Sequence, residues 1–159
     1  MLEGIDLPEV VISTDRTLLT HHHEKEFLGF GTTGAPVLFP EVVWLGLFAP
    51  RMRCDSRGIP WQAPYGMRKI EARLKQLGFD ADIIVPEKLD QALQDAKVLL
   101  ISHHDYFGFG PPSSTFASIF NRETVNARSF KRFMSDPAIA EAKKRGLKII
   151  AGGPAAWQW

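Results

Sequence analysis

Between Ser102 and Tyr106 the chain sets two imidazoles beside a carboxylate, Ser102-His103-His104-Asp105-Tyr106, with Gly108 and Gly110 just beyond. Imidazole has an ordinary pKa close to neutrality, so such a cluster can move protons, ligate a metal or hydrogen-bond a cofactor. The residues before it decide where it sits. Val98-Leu99-Leu100-Ile101 is a continuous aliphatic run, the pattern of a strand buried on both faces. Ligands of open parallel sheets bind outside the carboxyl ends of the strands, which is where this cluster falls. If the strand continues, alternation directs His103 and His104 to opposite faces.

Other residues with chemical potential are scattered along the chain. Gly152-Gly153-Pro154 follows a second aliphatic run, 147–151, and glycines there let backbone approach a ligand or make a simple turn. Arg51, Arg53 and Arg57 lie in a polar loop, 51–63, where they can contact phosphate or carboxamide groups or simply be solvated. His21-His22-His23 suggests a metal, yet consecutive residues of a helix or strand do not face one site, so a solvated run is the main reading. Cys54 is the single cysteine. It excludes a disulfide framework and any multi-cysteine cluster built from these residues alone, and no activating neighbour marks it as reactive.

The elements that must position these groups follow from pattern. Residues 42–48 (VVWLGLF) form an apolar run that reads as the first clear strand. Val10-Val11-Ile12 reads as a short one, with Ser13-Thr14-Asp15 supplying turn or capping chemistry. Glycines and prolines make helix improbable across 29–40. Met67, Ile70, Leu74 and Leu77 share one helical face after Pro64-Tyr65-Gly66, and Gly78 stops that helix. Strands at 81–85, 97–102 and 147–151 alternate with helices at 86–95, 127–134 and 137–145. Residues 108–126 read as a long insertion with Phe107, Phe109, Phe116 and Phe120 in or beside it, either packed or walling a ligand or partner. The alternation predicts a three-layer Rossmann- or flavodoxin-like α/β domain with a mainly parallel sheet, order 2-1-3-4, and a fifth strand absent from the chain. Residues 1–40 are expected to be an N-terminal extension and 41–159 the domain.

The chain of 159 residues is 45% hydrophobic and 23% charged with a net charge of +1, which fits one globular domain and gives no global electrostatic case for nucleic acid. There is no apolar stretch long enough for a membrane span and no basic-then-apolar leader, so a cytoplasmic location is expected. No Walker A pattern occurs.

Pro64-Tyr65-Gly66 opening a helix, Ser102 ending one strand and Gly152-Gly153 ending the next resemble the amino-terminal cobalamin (B12)-binding domain of B12-binding radical S-adenosylmethionine (SAM) proteins. The segments Ile149-Ile150-Ala151-Gly152-Gly153-Pro154-Ala155-Ala156-Trp157, Ser13-Thr14-Asp15-Arg16-Thr17-Leu18 and Glu26-Phe27-Leu28-Gly29-Phe30-Gly31 extend the likeness over most of the chain. The resemblance implies a cobalamin module whose contacts come from Arg51, Pro64, Tyr65, Gly66, Ser102, His103, His104, Asp105, Tyr106, Gly152, Gly153 and Pro154. Gly152 and Gly153 would lie against the corrin or its tail, and Ser102 would hydrogen-bond the tail. The Asp-x-His-x-x-Gly pattern of methyltransferase-type cobalamin domains is missing from 50–63, which has no histidine, so base-off cobalamin is implied. The family's radical chemistry uses S-adenosylmethionine and a 4Fe-4S cluster held by three cysteines. These would belong to a downstream radical SAM domain, and methyl transfer to the longer parent. Two alternatives stay open: a stand-alone flavodoxin-like enzyme using His103, His104 and Asp105, with or without a metal, and an interaction domain docking a partner through its aromatic loop. Trp157 and Trp159 lead to the further expectation that the fragment self-associates at high concentration.

Overall fold

In the computed structural model, which describes residues 7–35 and 39–159, one sheet of four parallel strands runs in the order β2-β1-β3-β4. The strands are Val10–Ser13 (β1), Ala81–Ile83 (β2), Val98–Ser102 (β3) and Lys148–Gly152 (β4). Val10, Val11 and Ile12 pair with Ala81, Asp82 and Ile83 on one side and with Val98, Leu99 and Leu100 on the other. Alternation then splits the core in two. Val11, Leu99 and Ile101 pack on Tyr106, Phe130 and Ile139, while Ile12 and Ile83 pack on Leu19, Met52 and Met67. Helices lie on both faces, as a Rossmann- or flavodoxin-like domain requires: Tyr65–Gln76 (α2) on one, and Leu89–Ala92 (α3), Val125–Met134 (α5) and Pro137–Lys144 (α6) on the other.

The expected strand order is the observed one, but its first strand is a different segment. Residues 42–48, read as a strand, lie in the helix Glu41–Phe48 (α1), and the central strand is β1, inside the stretch assigned to an extension. An unbroken apolar run does not separate strand from helix by periodicity. Here Pro40 precedes the first turn, Glu41 favours its positive end, and only one face is covered, by Leu45 and Trp44 against Ala49 and Val125. Val42 and Leu47 stay exposed.

Three further expectations change. The 29–40 stretch is partly helical, because the 3-10 helix Glu26–Thr33 runs through Gly29 and Gly31; residues 36–38 lie outside the described residues. The insertion 108–126 is not structureless either, since Ser113–Phe120 forms α4, ended by Asn121 in the left-handed region at φ 46°. The face expected of α2 is only half inward. Met67 is buried and Leu74 packs against the core, but Ile70 and Leu77 are exposed, and the buried partner is Glu71, paired with Arg68 at 2.8 Å and Lys75 at 3.3 Å. Gly78 ends the helix at φ +86° as the sequence predicts. No helix among the described residues is long and apolar enough to cross a membrane.

Candidate functional site

Chain order makes β1 the turning point of the sheet. From β1 the chain steps to β2 on one side, then returns to β3 on the other. Segments leaving β1 and β3 therefore diverge, and the crevice between their carboxyl ends is where doubly wound sheets bind ligands. A cleft of about 630 Å³ lies there. Its walls come from the segment after β1 (Thr17, Thr20, His22), the 3-10 helix (Glu26, Gly29, Thr32), Gln62-Ala63-Pro64-Tyr65-Gly66 at the start of α2, His103-His104-Asp105 after β3, and Asn126 of α5.

Register explains the anchor of this cleft. Ser13 pairs with Ile101, so Asp15 and His103, each two residues on, leave the sheet side by side. Both are buried, and His103 Nε2 lies 2.7 Å from Asp15 Oδ1, off the axis of a straight hydrogen bond and with no other partner for either atom. The Asp105 backbone N–H donates to His103 Nδ1 at 2.9 Å, which assigns the ring proton to Nε2, facing the carboxylate. Asp15 Oδ2 accepts from the Thr17 N–H at 2.9 Å and its hydroxyl at 2.8 Å. Burial pushes the Asp15 carboxyl up. The neighbouring His103, Ser129 and Thr17 together outweigh it, and the net position is below the ordinary carboxylate range.

Asp105 holds a second network. Oδ1 accepts from the Gly110 N–H at 3.1 Å and from Gln158 Nε2 at 2.7 Å, and Oδ2 accepts from Asn126 Nδ2 at 3.2 Å. Burial again raises the carboxyl, and donors from Ser113, Gln158, Gly110 and Asn126 bring it below its usual value. Asn126 Nδ2 also lies 3.3 Å from the Asp105 carbonyl and 3.2 Å from Ser113 Oγ. That fixes its amide orientation and leaves Asn126 Oδ1 buried in the cleft wall with no partner. His104, by contrast, is exposed at the cleft, and partial desolvation together with the neighbouring His103 lowers its pKa. No group of three or more His, Cys, Asp or Glu among the described residues is arranged to hold a metal ion.

Of the twelve residues expected at a site, eleven divide between two places and Arg51 lies apart from both. Pro64, Tyr65, Gly66, His103, His104 and Asp105 meet in the cleft. Ser102, Tyr106, Gly152, Gly153 and Pro154 do not line it. Tyr106 is fully buried, its hydroxyl against the Gly152 carbonyl and 3.1 Å from the Ile101 carbonyl, and it straps β3 to β4. Gly153 has φ +84°, and a Cβ there would meet Ser102 Oγ at 2.6 Å; its glycine is required by the chain's own packing. Gly152, for which the close approach was expected, has only the Ile101 carbonyl oxygen, at 4.0 Å. Arg51 faces Glu87 at 3.6 Å, Arg57 pairs with Asp82 at 2.8 Å, and Arg53 sits 6.0 Å over the Trp61 ring. Burial raises the Cys54 thiol, consistent with an inert side chain.

Sequence reasoning missed Asp15, Thr17 and Asn126. For Asp15 the signal was present: Val11-Ile12-Ser13-Thr14-Asp15 repeats the pattern of Leu100-Ile101-Ser102-His103-His104-Asp105, an aliphatic run broken by a serine and then by polar groups. The histidine run has a structural explanation. His22 Nδ1 lies 2.7 Å from the Phe48 carbonyl and His23 Nε2 lies 3.2 Å from the Gly46 carbonyl, so these imidazoles bind backbone. They sit in a left-handed turn, φ 44° at His22, 51° at His23 and 62° at Glu24, a conformation that non-glycine residues rarely hold in succession. Comparison with protein-family models, curated proteins and solved structures finds no match to this chain.

Proposed function

We propose that the chain is a cofactor-binding module that holds base-off cobalamin in the cleft over β1 and β3. The observation that carries the binding reading is the coincidence of the sheet's turning point with a cleft lined by the motifs at 64–66 and 103–105. Cobalamin enters through the resemblance of those motifs. The chemistry of the wall suits it in part. Among the described residues no lysine or arginine lines the cleft, threonine hydroxyls do, and the orphaned Asn126 Oδ1 calls for a ligand N–H of the kind a corrin's peripheral amides carry. Pro64, Tyr65, Gly66, His104 and Asn126 would hold it there, and the bound cobalt would supply a methyl carrier. The β3–β4 part of the expected set does not fit, because Tyr106 and Gly153 fill that space.

The base-off state rests on a different loop from the one expected, since 50–63 follows a helix and the segment after the first strand is 14–20. Asp15-Arg16-Thr17 there has threonine where the Asp-x-His-x-x-Gly pattern has histidine. His103 offers no nitrogen to cobalt, with Nδ1 taken by Asp105 N–H and Nε2 facing Asp15. The same commitments, with both Asp105 oxygens engaged, weigh against a proton relay through His103 and Asp105 and favour binding over stand-alone catalysis. Titration of the full chain with hydroxocobalamin, followed by visible spectroscopy and gel filtration, tests it. Co-eluting cobalamin with a base-off spectrum is expected. An unchanged spectrum and no co-elution at high micromolar concentration would reject the proposal.

A further inference from the structure

The cleft also receives the amino end of α2. This helix runs twelve residues from Tyr65, its N-cap is Pro64, no side chain caps it, and its first turn holds no acidic residue. The N–H groups of Tyr65 and Gly66 therefore have neither an intrahelical acceptor nor a side-chain one. Most helices answer these donors with Ser, Thr, Asp or Asn at the N-cap. Proline has no such acceptor, and Gly66 leaves the approach open, with no atom within 4 Å of where a Cβ would stand. A second, independent orphan belongs to a residue that lines the same space: Asn126, only 3% exposed, with an Oδ1 unpartnered among the described residues and an amide orientation set by the three acceptors around its Nδ2. The cleft thus offers donors at one wall and a buried acceptor at another.

We infer that α2 supplies a phosphate subsite, and that the ligand carrying the phosphate also carries a hydroxyl or amide N–H that donates to Asn126 Oδ1. Backbone donors at a helix start, with the positive end of the helix dipole, suffice to hold one oxyanion. The charge of the walls limits it to one. Among the described residues no lysine or arginine lines the cleft, and Glu26 and Asp105 add carboxylates, so a polyphosphate is opposed while a single phosphate ester or diester is accepted. The inference rests on the cleft being the ligand site and is independent of whether the ligand is a corrin.

The test uses the full chain and four probes: glycerol 3-phosphate, inorganic phosphate, glycerol and pyrophosphate, followed by amide and side-chain NMR shifts. Glycerol 3-phosphate is expected to shift the Tyr65 and Gly66 backbone signals and the Asn126 side-chain amide saturably. Inorganic phosphate should move the first two only, and glycerol none. Pyrophosphate should bind no more tightly than phosphate. Tyr65→Pro deletes one N–H at the helix position where proline is best tolerated, after a Pro64 already at φ −51° and ψ 137°. It should weaken phosphate binding about five- to tenfold relative to Tyr65→Ala, which loses the same side chain but keeps the N–H. Absence of saturable shifts at Tyr65 and Gly66, equal affinity in the two variants, or tighter binding of pyrophosphate would each overturn the inference. If phosphate binds as described and cobalamin does not, the corrin reading fails and the subsite stands. Cobalamin binding without these phosphate shifts overturns the subsite and leaves the corrin reading in place.

Discussion

The 3-10 helix Glu26–Thr33 divides two hollows of opposite character. Its Glu26, Gly29, Thr32 and Thr33 face the polar cleft, whereas Phe27, Leu28, Phe30 and Gly31 face a groove of about 460 Å³ between this helix, α1 and α4. Trp44, Phe48, Phe116 and Phe120 complete the groove. Phe116 and Phe120 lie stacked at 6.3 Å, and Phe30 meets Phe116 edge-on at 5.6 Å. The two hollows are built by different forces. Directional hydrogen bonds to buried carboxylates fix the cleft, and each donor there is lost at full cost if its acceptor goes. The groove rests on area alone, and several of its side chains are half outside: Phe27 is 72% exposed and Phe30 58%. A rigid polar site and a tolerant apolar surface thus share one wall of eight residues.

That contrast puts the largest loss at Asp105. Asp105→Ala strands the Gly110 N–H and the Gln158 amide and removes one of the three acceptors of Asn126 Nδ2, and unfolding free energy should fall by roughly 3 kcal/mol, measured by urea titration. The two carboxyls also set an acid limit. Asp15 and Asp105 both lie below their ordinary value in the fold. Their contribution is whole above about pH 4, where unfolded carboxyls titrate, and is lost as pH falls through the lower folded values. A stability profile should therefore be steeper in acid for the parent than for Asp105→Ala. Equal acid slopes would break the assignment of Asp105 as a cleft anchor.

An intermediate effect separates the paired glycines. Gly153→Ala combines φ +84° with contacts at 2.6 Å to Ser102 Oγ and 3.1 Å to the His103 carbonyl, and should cost roughly 2–3 kcal/mol. Gly152→Ala meets nothing closer than 4.0 Å and should cost under about 1 kcal/mol. Thermal melting of the two proteins gives the comparison, and equal losses would show that the β3–β4 junction is looser than its geometry.

The smallest effect belongs to the groove. Phe30→Ser removes an exposed ring with one edge contact, so stability should change by about 1 kcal/mol or less while binding of an apolar fluorescent dye drops. A loss as large as that of Asp105→Ala would mean the groove is core and not surface.

The same contrast explains what could be read from residues alone. Strands β2, β3 and β4 and helices α2, α5 and α6 were legible because Gly78, Pro137 and Gly146 punctuate clear patterns. Residues 42–48 were not, since VVWLGLF satisfies a strand and a helix equally, and only the covering of Leu45 by Val125 decides. His103-His104-Asp105 were legible as a cluster, yet their division of labour was not. It depends on Asp15, 88 residues earlier, and on Gln158, 53 residues later, contacts that no local pattern encodes. The glycine pair misled for a related reason, because a close backbone approach looks the same from sequence whether the neighbour is a ligand or Ser102.

Gln158 has one more role than its place in the Asp105 network suggests. Its side-chain oxygen accepts the Phe107 N–H at 2.9 Å while its nitrogen donates to Asp105, so the loop that carries His104 is tied down by a residue 53 positions away. A ribosome adding roughly 5–20 residues per second delivers that residue some 3–10 s after the loop itself. During synthesis β1, β2 and β3 can therefore emerge before the loop that lines the cleft is tied down.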